Sequence, residues 1–592
     1  MLMSRKVIVF GVDGLMMPLI KKFVAEGALP HIKRMLDGGA AGELLPNISA
    51  WGDVNWVAFL SGQSPGTSWL GQSQPTAYKD SGNLLEKLEQ QGLRAALVHF
   101  PESISAPAPH FTLAPYWASA APCPFTFATP AIFTTRYGER NAPRDPPQQT
   151  LGWPPSSPLA YHEKGLWQPI ENHQLHIQSA RTDAIPLSLQ HSAGQLYIHY
   201  QQRAVELKRD EWSDWLPLGD VAEGGAVRFW LAAWQPETSL IEVIQSEITY
   251  PQRLGSDALV TQALIDNFGP FFSQWAIKAS PKEAYRASTL QDAEHQSLWM
   301  ANSALHLTHD HGYALWIGVH HLVDESHHLC LGQYDPQSPF FRADEADAYV
   351  AVMRECYQVL DRSIGHILDH MDEQTTLLLA SDHGDVPNEY MCDINRYLAQ
   401  LGLVTYDAAD KPLPQQSQVY LKDARGGLEI FINLKGRESQ GVVAPAEFEQ
   451  VRNKVIDALN RWQIDQRAAV AWVLRKEDAA SIGYWGDEAG DVLFTYNTGF
   501  VWGTSREGSA ICPVSAPGAN HGPQKPSAET EHSANYGVLL AYGAGIRQNY
   551  YRDRQRFGPY RMIDPAATIA TLLGVATERL DGTVMHDFLA PL

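Results

Sequence analysis

The stretch Leu377–Asp385 has the sequence LLLASDHGD, which indicates a buried strand with polar residues at its end. Four consecutive apolar residues are too few for an independent helix and are typical of a strand covered on both faces of a parallel sheet. In open α/β sheets the ligand site lies beyond the carboxyl ends of the strands, where this strand delivers Asp382 and His383. A carboxylate beside an imidazole can bind a divalent metal, although a hydrogen-bonded Asp–His pair at a turn would have the same sequence.

Two further strands end in residues of the same kind. Asp13 follows the β-rich run Lys6–Val12, where it is either a metal ligand or the cap of the next helix. The apolar run Tyr313–Val319 leads into HHLVDESHHLCL, in which Asp324 and His328 are one helical turn apart and could face one metal. A histidine-rich surface turn is the alternative for this segment. Its other histidines are His320, His321 and His327.

The order of the apolar runs predicts an α/β fold with a mostly parallel sheet flanked by helices. The helices include Pro18–Met35, which Pro30 interrupts, and the amphipathic Ala346–Met371. Between these two, prolines and tryptophans are dense and short strands such as Leu196–Tyr200 alternate, which predicts an inserted β-rich cap. The predicted divisions are a first part of the core at 1–105, the cap at 106–251, a second part of the core at 252–410, a small α+β lobe at 411–505 and a final part of the core at 506–592.

Charge and cysteine content restrict the partners and the compartment. With 45 Lys and Arg against 66 Asp and Glu, the net charge of −21 argues against a nucleic-acid polymer or an anionic membrane as the main partner. A small anionic substrate would need metal ions to offset this charge. The 5 cysteines have no CxxC spacing, so we expect no disulfide framework and a reducing, cytoplasmic compartment. No apolar run has the length of a signal peptide or of a membrane span.

The segment Leu44–Gly66, LLPNISAWGDVNWVAFLSGQSPG, predicts a helix whose first turn could bind an anion. Trp56, Phe59 and Leu60 have helical spacing after a polar stretch that contains glycine. Backbone N–H groups at the start of such a helix can bind an anion, and Asn55 could add a side-chain donor.

In this order, these pieces resemble the alkaline phosphatase superfamily, and most closely its type I phosphodiesterase and nucleotide pyrophosphatase branch. The matching motifs are GVDG at 11–14, NWVAFLSGQSPG at 55–66, EWSDWLPL at 211–218, Asp324 with His328, SDHG at 381–384, INLKGRE at 432–438 and NHG at 520–522. The resemblance implies that the sheet is doubly wound and carries a site for two metal ions. These are usually zinc, although manganese or iron would also suit carboxylate and imidazole ligands. The residues that it assigns are Asp324, His328 and His521 to one ion, and Asp13, Asp382 and His383 to the other.

The resemblance also implies a Thr or Ser nucleophile three residues before an Asn and ten residues before Gly62. That position holds Gly52, which has no side chain to be phosphorylated, so a covalent route cannot run through it. Ser49 and Asp53 are nearby alternatives that would need a shifted loop. The backbone N–H of Gly52 and the side chain of Asn55 could still bind an oxyanion.

The leading functional hypothesis is a metal-dependent, phosphodiesterase-like hydrolase of phosphoesters in which metal-bound water replaces the usual nucleophile. Its substrate would be an anionic small molecule. The alternative is a repurposed bimetal enzyme that catalyses a non-hydrolytic reaction on such a molecule, or an engineered or inactive variant that lacks its nucleophile. We expect the cap to determine specificity, His99 and His110 to be packing or surface residues, and the turn Lys435–Arg437 to be a solvated loop rather than a substrate contact.

Overall fold

The computed structural model describes residues 5–49, 52–68, 82–103, 106, 108–115, 124–140, 148–151, 166–179, 182–274, 277–282, 285–422, 428–522 and 533–591. Ala50 and Trp51, which precede the predicted anion-binding helix, and Cys123 lie outside these residues.

Within the described residues, the helices are α1 (Met17–Ala25), α2 (Pro30–Gly38), α3 (Asp53–Ser61), α4 (Pro65–Ser68), α5 (Leu84–Gln90), α6 (Tyr137–Arg140), α7 (Ala258–Phe268), α8 (Arg286–His309), α9 (Leu322–Tyr334), α10 (Ala346–His370), α11 (Ile394–Gln400), α12 (Phe448–Arg461), α13 (Lys476–Ala479), α14 (Arg554–Phe557) and α15 (Asp564–Leu572). The strands are β1 (Lys6–Val12), β2 (Ala40–Leu45), β3 (Ala95–Val98), β4 (Phe111–Leu113), β5 (Thr126–Ala128), β6 (Ala131–Thr134), β7 (Gln149–Leu151), β8 (Leu166–Pro169), β9 (Gln174–Ile177), β10 (Ile185–Ser192), β11 (Gln195–Tyr200), β12 (Arg203–Leu207), β13 (Leu216–Pro217), β14 (Ala226–Val227), β15 (Phe229–Gln235), β16 (Leu240–Gln245), β17 (Ile248–Thr249), β18 (Leu315–His320), β19 (Thr375–Ala380), β20 (Asp385–Pro387), β21 (Tyr390–Cys392), β22 (Val419–Leu421), β23 (Glu429–Ile432), β24 (Gln463–Ile464), β25 (Arg467–Ala468), β26 (Val470–Arg475), β27 (Val492–Tyr496), β28 (Phe500–Ser505), β29 (Ile511–Pro513), β30 (Ala519–His521), β31 (Gly537–Gly543), β32 (Tyr550–Tyr551) and β33 (Tyr560–Arg561).

A mixed sheet forms the centre of the protein. Its 9 strands, counted over the described residues, follow the order β32-β2-β31-β19-β1-β18-β3-β4, and β33 also pairs with β2. All pairs from β19 to β4 are parallel, whereas β31 runs antiparallel to β19 and to β2. The predicted α/β fold with a mostly parallel sheet is therefore confirmed. The apolar sequence of β31 does not reveal its direction.

Helices cover both faces of this sheet because successive side chains of each strand point to opposite faces. Ile8, Phe10 and Val12 of β1 belong to an apolar core that includes residues of α1, α2, α8, α9 and α10. Val7 and Val9 belong to a second core with α3, α5 and α15. Because both faces are buried, the strand is apolar throughout and does not alternate with polar residues.

The predicted helix Pro18–Met35 forms two helices, α1 and α2. Pro30 occupies the first turn of α2, where the N–H group that proline lacks would have no partner within the helix. Pro30 therefore marks the start of α2 rather than a break within one helix.

Two sheets with the orders β12-β11-β10-β9 and β15-β16-β6-β8 lie in the region predicted as a cap. Arg228 connects this region to the core helix α8. Its Nη2 atom is 2.9 Å from Oδ1 of Asp292, and its guanidinium lies 4.8, 5.0 and 5.0 Å from the ring centres of Trp212, Trp215 and Phe272. The two tryptophans of the EWSDWLPL motif thus stack on a buried cation, which is a structural role.

Two short strands within the range predicted for the cap, 106–251, belong to other sheets. Phe111–Leu113 (β4) pairs with β3 at the edge of the main sheet, and Gln149–Leu151 (β7) pairs with β28. Phe111–Leu113 therefore belongs to the main sheet although it falls within the range predicted for the cap. A strand of 3 residues is too short to show a sequence period.

The sheet β22-β23-β27-β26 packs with α12 in the region predicted as a small lobe. In the predicted solvated turn Lys435–Arg437, the Nη1 and Nη2 atoms of Arg437 lie 2.8 and 2.7 Å from the carboxylate oxygens of Asp491. Arg437 is therefore held by a carboxylate of this lobe. Across the described residues, no helix combines the length and the apolar character needed to cross a membrane.

Candidate metal centre

Three neighbouring parallel strands bring predicted ligands to one edge of the main sheet. β1 lies between β18 and β19, and Val12 is opposite His320. Asp13 follows directly, and its backbone N–H donates to the carbonyl oxygen of His320 at 3.0 Å. Asp382 and His383 follow β19 at the same edge. This edge is the carboxyl end of the sheet, where ligand sites of α/β proteins lie.

Asp13, Asp382 and His383 form a group that we call the strand-end cluster. One potential ligand atom from each lies within 4.8 Å of the others. The Nε2 atom of His383 is 3.3 Å from Oδ1 of Asp13 and 3.1 Å from Oδ2 of Asp382. Neighbouring groups orient the two carboxylates: the backbone N–H of Gly14 is 3.4 Å from Oδ1 of Asp382, and the indole N–H of Trp56 is 3.4 Å from Oδ2 of Asp13.

Asp324, Asp385 and His521 form a second group, which we call the ladder cluster. The short antiparallel ladder of β20 and β30 places Asp385 opposite His521, and Asp324 extends from α9. Potential ligand atoms of these three residues and of His383 lie within 4.8 Å of one another. The Nε2 atom of His521 is 3.6 Å from Oδ1 of Asp324. His383 is therefore within reach of both clusters.

His328 contacts the ladder cluster from the next turn of α9. Its Nε2 atom is 3.1 Å from Oδ2 of Asp324, and its Nδ1 donates to the carbonyl oxygen of Ala519 at 2.8 Å. The second contact fixes the proton on Nδ1 and leaves Nε2 directed at the cluster, as metal-bound histidines generally require. The fold thus brings together all six residues that the sequence assigned to two metals: Asp13, Asp324, His328, Asp382, His383 and His521.

Gly14 permits the close approach of α9 to β1. Its φ of +66° lies in the left-handed region, and a Cβ atom at this position would be 2.9 Å from Cβ of Asp324. A larger residue would therefore push Asp324 away from Asp13. The GVDG motif therefore supplies one potential ligand, Asp13, and its Gly14 leaves the space that Asp324 occupies.

The residues present fit divalent metal ions. Buried oxygens of Asp324 (Oδ1), Asp382 (Oδ2) and Asp385 (Oδ1), and both ring nitrogens of His383, have no hydrogen-bond partner among the described residues. Leaving such groups buried without a partner costs about 1 to 3 kcal/mol each, and more when they are charged. Carboxylate oxygens mixed with imidazole nitrogens are the ligands of zinc, manganese and iron sites.

In the absence of a cation, protons supply the positive charge of the two clusters. Burial and the charge of Asp382 raise the pKa of Asp13 well above its ordinary value. Burial alone would lower the pKa of His383, but Asp382 and Asp13 raise it well above its ordinary value. Burial would raise the pKa of Asp324, yet His328 lowers it well below the ordinary value, and the pKa of His328 rises to about 10 beside Asp324. A bound metal would displace these protons.

A cavity of about 470 Å³ lies over the two clusters. Its described lining includes an apolar side from the small lobe, with Tyr496, Phe500 and Trp502. The described lining contains no Lys or Arg, and its acidic residues are Asp13, Asp53, Asp324 and Glu325. The cavity would therefore repel an anion unless cations occupied the clusters.

Gly52 lies beside the strand-end cluster and caps α3. A Cβ atom at this position would be 2.0 Å from Oδ2 of Asp382 and 3.3 Å from Oδ2 of Asp13. The sequence suggested a vacant nucleophile position, but the carboxylate of Asp382 fills the space that a side chain would need. Gly52 has no side-chain atom that could attack a substrate, and a larger residue at this position would collide with the carboxylate of Asp382.

Asn55, the predicted oxyanion donor, is in contact with Asn47 through its side-chain oxygen. Its Oδ1 accepts hydrogen bonds from the backbone N–H of Asn47 at 2.8 Å and from Nδ2 of the same residue at 3.3 Å. The described lining of the cavity does not include Asn55, whereas it includes Ser49 and Asp53. Asn55 therefore holds the segment before α3 against its first turn, and the two alternatives to Gly52 border the cavity.

His99 and His110 have structural contacts. Nδ1 of His99 lies 3.0 Å from the carbonyl oxygen of Ala114, while His110 accepts from the backbone N–H of Ala95 and contacts the carbonyl oxygen of Leu85 at 2.9 Å. Both histidines are buried. The described lining of the cavity includes neither of them.

The sequence interpretation missed two residues of the site. Asp385 ends the stretch LLLASDHGD and is absent from the predicted ligands, although its spacing of two residues from His383 suits one face of an extended segment. His321 is near Asp324 in the sequence and is likewise absent from the predicted ligands. It lines the cavity, and its Nε2 atom is 3.5 Å from Oδ2 of Asp13.

Comparisons with solved structures find matches of low sequence identity. The murine ectonucleotide pyrophosphatase/phosphodiesterase 5, as an inactive variant in complex with AMP, is 11% identical with a TM-score of 0.43, and the match covers 99% of this chain and 100% of that one. The human enzyme of the same name is 10% identical with a TM-score of 0.44, over 99% of this chain and 100% of that one. A mutant of the alkaline phosphatase PafA is 12% identical with a TM-score of 0.44, over 100% of both chains. No curated protein sequence matches the chain.

The comparison with protein families gives a match over a large part of the sequence. The sequence model of the type I phosphodiesterase / nucleotide pyrophosphatase family matches residues 221–524, more than half of the 592 residues. The matched range contains Asp324, His328, Asp382, His383 and His521. The chain therefore belongs to the type I phosphodiesterase / nucleotide pyrophosphatase family, a branch of the alkaline phosphatase superfamily.

Proposed function

We propose that the protein is a metal-dependent, phosphodiesterase-like hydrolase that binds one divalent ion, preferably zinc, at each cluster. Family membership points to a phosphoesterase-type hydrolase. The observation that carries the proposal is that two buried groups of carboxylates and imidazoles adjoin at His383 beneath one cavity. Divalent ions bound there would polarise phosphoryl oxygens and lower the pKa of water.

The attacking group in this proposal is water rather than a side chain. Gly52 offers no nucleophilic atom, and the nearest side-chain oxygen, Oδ2 of Asp382, belongs to the strand-end cluster. Ser49 and Asp53 border the cavity and are the side-chain alternatives. Attack by either would form a covalent phosphoenzyme, whereas attack by water would transfer the phosphoryl group directly to water in one step.

The cavity lining favours a substrate with little negative charge. Its described residues include four carboxylates and no Lys or Arg, so the protein itself supplies few groups that would neutralise a dianion. A phosphodiester carries one negative charge at its phosphorus, and a phosphomonoester carries up to two near neutral pH. We therefore propose phosphodiesters as the preferred substrates, with an apolar or aromatic group against Tyr496, Phe500 and Trp502.

The first test measures metal content and hydrolysis in the same preparations. Purified protein is analysed for metals by mass spectrometry and assayed on matched phosphodiesters and phosphomonoesters, as isolated, after chelation, and after addition of zinc, manganese or iron. We expect about two equivalents of metal, loss of hydrolysis on chelation, recovery with zinc and a preference for diesters. Undiminished hydrolysis by metal-free protein would exclude the proposal.

The second test determines whether water attacks directly. A phosphorothioate diester of known configuration at phosphorus is hydrolysed in labelled water, and the configuration of the product is determined. One in-line displacement inverts the configuration, and two displacements through a phosphoenzyme retain it. Retention would indicate Ser49, Asp53 or another nucleophile instead. If metal-loaded protein hydrolyses no ester, the alternative of a non-hydrolytic reaction becomes the better one.

A further inference from the structure

We propose that Asp385 is a metal ligand of the ladder cluster and that His327 is the positioning residue that holds its carboxylate. The inference rests on the proposed metal centre and extends it by two residues. Neither belongs to the set of six that the sequence motifs assigned. The two side chains contact each other, and both are buried.

Asp385 is placed to coordinate because its backbone is fixed and one of its oxygens lacks a partner. It is the first residue of β20 and pairs with His521 in the ladder with β30. Its exposed fraction is 1%, and its Oδ1 has no hydrogen-bond partner among the described residues. A potential ligand atom of Asp385 lies within 4.8 Å of atoms of Asp324, His383 and His521. A buried carboxylate oxygen in such surroundings is stabilised by a cation.

His327 fixes the other oxygen of this carboxylate. Its Nδ1 atom lies 3.0 Å from Oδ2 of Asp385, and its exposed fraction is 0%. Because Nε2 of His327 has no partner among the described residues, the Nδ1 proton is the one engaged, and it donates to Asp385. Oδ2 is thereby occupied, and Oδ1 is left to face the cluster. Such contacts behind a ligand commonly change metal affinity by about 10- to 100-fold.

The positions of the partners on one helix support a joint role. Asp324, His327 and His328 lie within two turns of α9. The helix therefore contributes two potential ligands, Asp324 and His328, and it also contributes His327, which holds Asp385. An ordinary buried ion pair is the competing explanation. That pair would contribute to folding stability but would not change the affinity for metal, and this difference makes the two explanations separable.

The test is zinc binding by metal-free protein, measured by competition with a chelating dye, together with thermal unfolding. The variants are Asp385→Asn, His327→Leu and His327→Asn, of which the last retains an N–H donor near the position of Nδ1. Asp361→Asn is the matched control, because Asp361 is also a buried carboxylate but accepts hydrogen bonds from the backbone N–H groups of His31 and Ile32.

We expect Asp385→Asn and His327→Leu to weaken the binding of one zinc ion by about 10- to 100-fold, while His327→Asn and Asp361→Asn stay within about threefold of the wild type. Rescue by His327→Asn identifies a positioning role, since a purely structural role would not follow the N–H donor. The inference is overturned if Asp385→Asn changes unfolding temperature as Asp361→Asn does but leaves zinc affinity unchanged. It is also overturned if the wild type binds no zinc.

The readout separates this inference from the proposed function. Zinc affinity is measured without substrate, so a wild type that binds zinc but hydrolyses no ester would refute the proposed function and leave the effects of Asp385→Asn interpretable. Conversely, a hydrolytic wild type whose Asp385→Asn variant binds zinc with full affinity would refute only the inference.

Discussion

The two ligand clusters differ in how the chain builds them. The strand-end cluster takes Asp13, Asp382 and His383 from the ends of two adjacent parallel strands in the centre of the main sheet. The ladder cluster takes its residues from a helix and from a ladder of only three paired positions, Asp385 to Pro387 with Ala519 to His521. The first therefore inherits the rigidity of the core, and the second depends on local contacts.

This difference determines what supports each ligand. In the strand-end cluster the backbone N–H of Gly14 and the indole of Trp56 orient the carboxylates, and both belong to elements packed on the main sheet. In the ladder cluster the supports come from α9 and from the short ladder itself, namely the side chain of His327 and the backbone carbonyl oxygen of Ala519. We infer that replacing a supporting residue affects metal binding more in the ladder cluster than in the strand-end cluster.

The largest expected effect is that of Asp382→Asn, which tests whether the strand-end cluster holds its own metal. The variant removes a charge in direct contact with His383, and we expect hydrolysis to fall by about a thousandfold or more with loss of one metal equivalent. Metal analysis and initial rates on a phosphodiester measure both. Asp369→Asn, with a side chain 57% exposed, is the control and should change neither. Loss of both metals would show that the two clusters do not bind independently.

An intermediate effect is expected for Gly52→Ala, which acts on one cluster only. The added Cβ would meet Oδ2 of Asp382 at 2.0 Å, so this carboxylate must move. Overpacking of this kind costs about 1 to 3 kcal/mol, which corresponds to about 10- to 100-fold weaker binding of one zinc ion. Zinc competition titrations measure it. Gly138→Ala adds the same atom in open space and serves as the control. Equal weakening of both zinc ions would contradict the separation of the clusters.

The smallest expected effect on the metal centre is that of replacing Glu102, which interacts electrostatically with Asp53, a residue that lines the cavity. Burial, and secondarily Asp53, raise the pKa of Glu102 from 4.5 to about 8. Because the folded protein binds this proton more tightly than the unfolded chain, stability decreases as the pH rises from about 4.5 to about 8. Glu102→Gln should therefore stabilise the protein above pH 8, by on the order of 3 kcal/mol, and have little effect at pH 4.

Urea unfolding midpoints at several pH values test this prediction, with the exposed Glu373→Gln as control. Zinc content should stay unchanged, because Glu102 belongs to neither cluster. A stabilisation independent of pH would show that packing rather than the carboxyl charge is responsible, and loss of zinc would show that Glu102 contributes to metal binding.

The residues at strand ends could be predicted because their positions follow from local sequence. An apolar run identifies a buried strand, and the residue after it must lie at the carboxyl edge of a parallel sheet. Asp13, Asp382 and His383 are all of this kind. Asp324 and His328 followed from one helical turn, and His521 followed only from the resemblance to a family. Their function as metal ligands stays a prediction.

Asp385, His327 and the direction of β31 could not be predicted in this way. Asp385 lies in the ladder cluster because it pairs with His521, which is 136 positions later in the chain, and no local pattern specifies that pairing. His327 acquires its role only through Asp385. The environment of Gly52 likewise depends on where the carboxylate of Asp382 lies after folding.

By itself, the sequence determined the fold class, the edge of the sheet that carries the site and the absence of a side-chain nucleophile at residue 52, because apolar periodicity and residue identity are local properties. Only the tertiary structure decided that Asp382 fills the space beside Gly52, that Oδ1 of Asn55 accepts hydrogen bonds from Asn47 and that Asp385 joins the ladder cluster. These outcomes depend on contacts between segments far apart in the chain, which packing selects and local sequence does not specify.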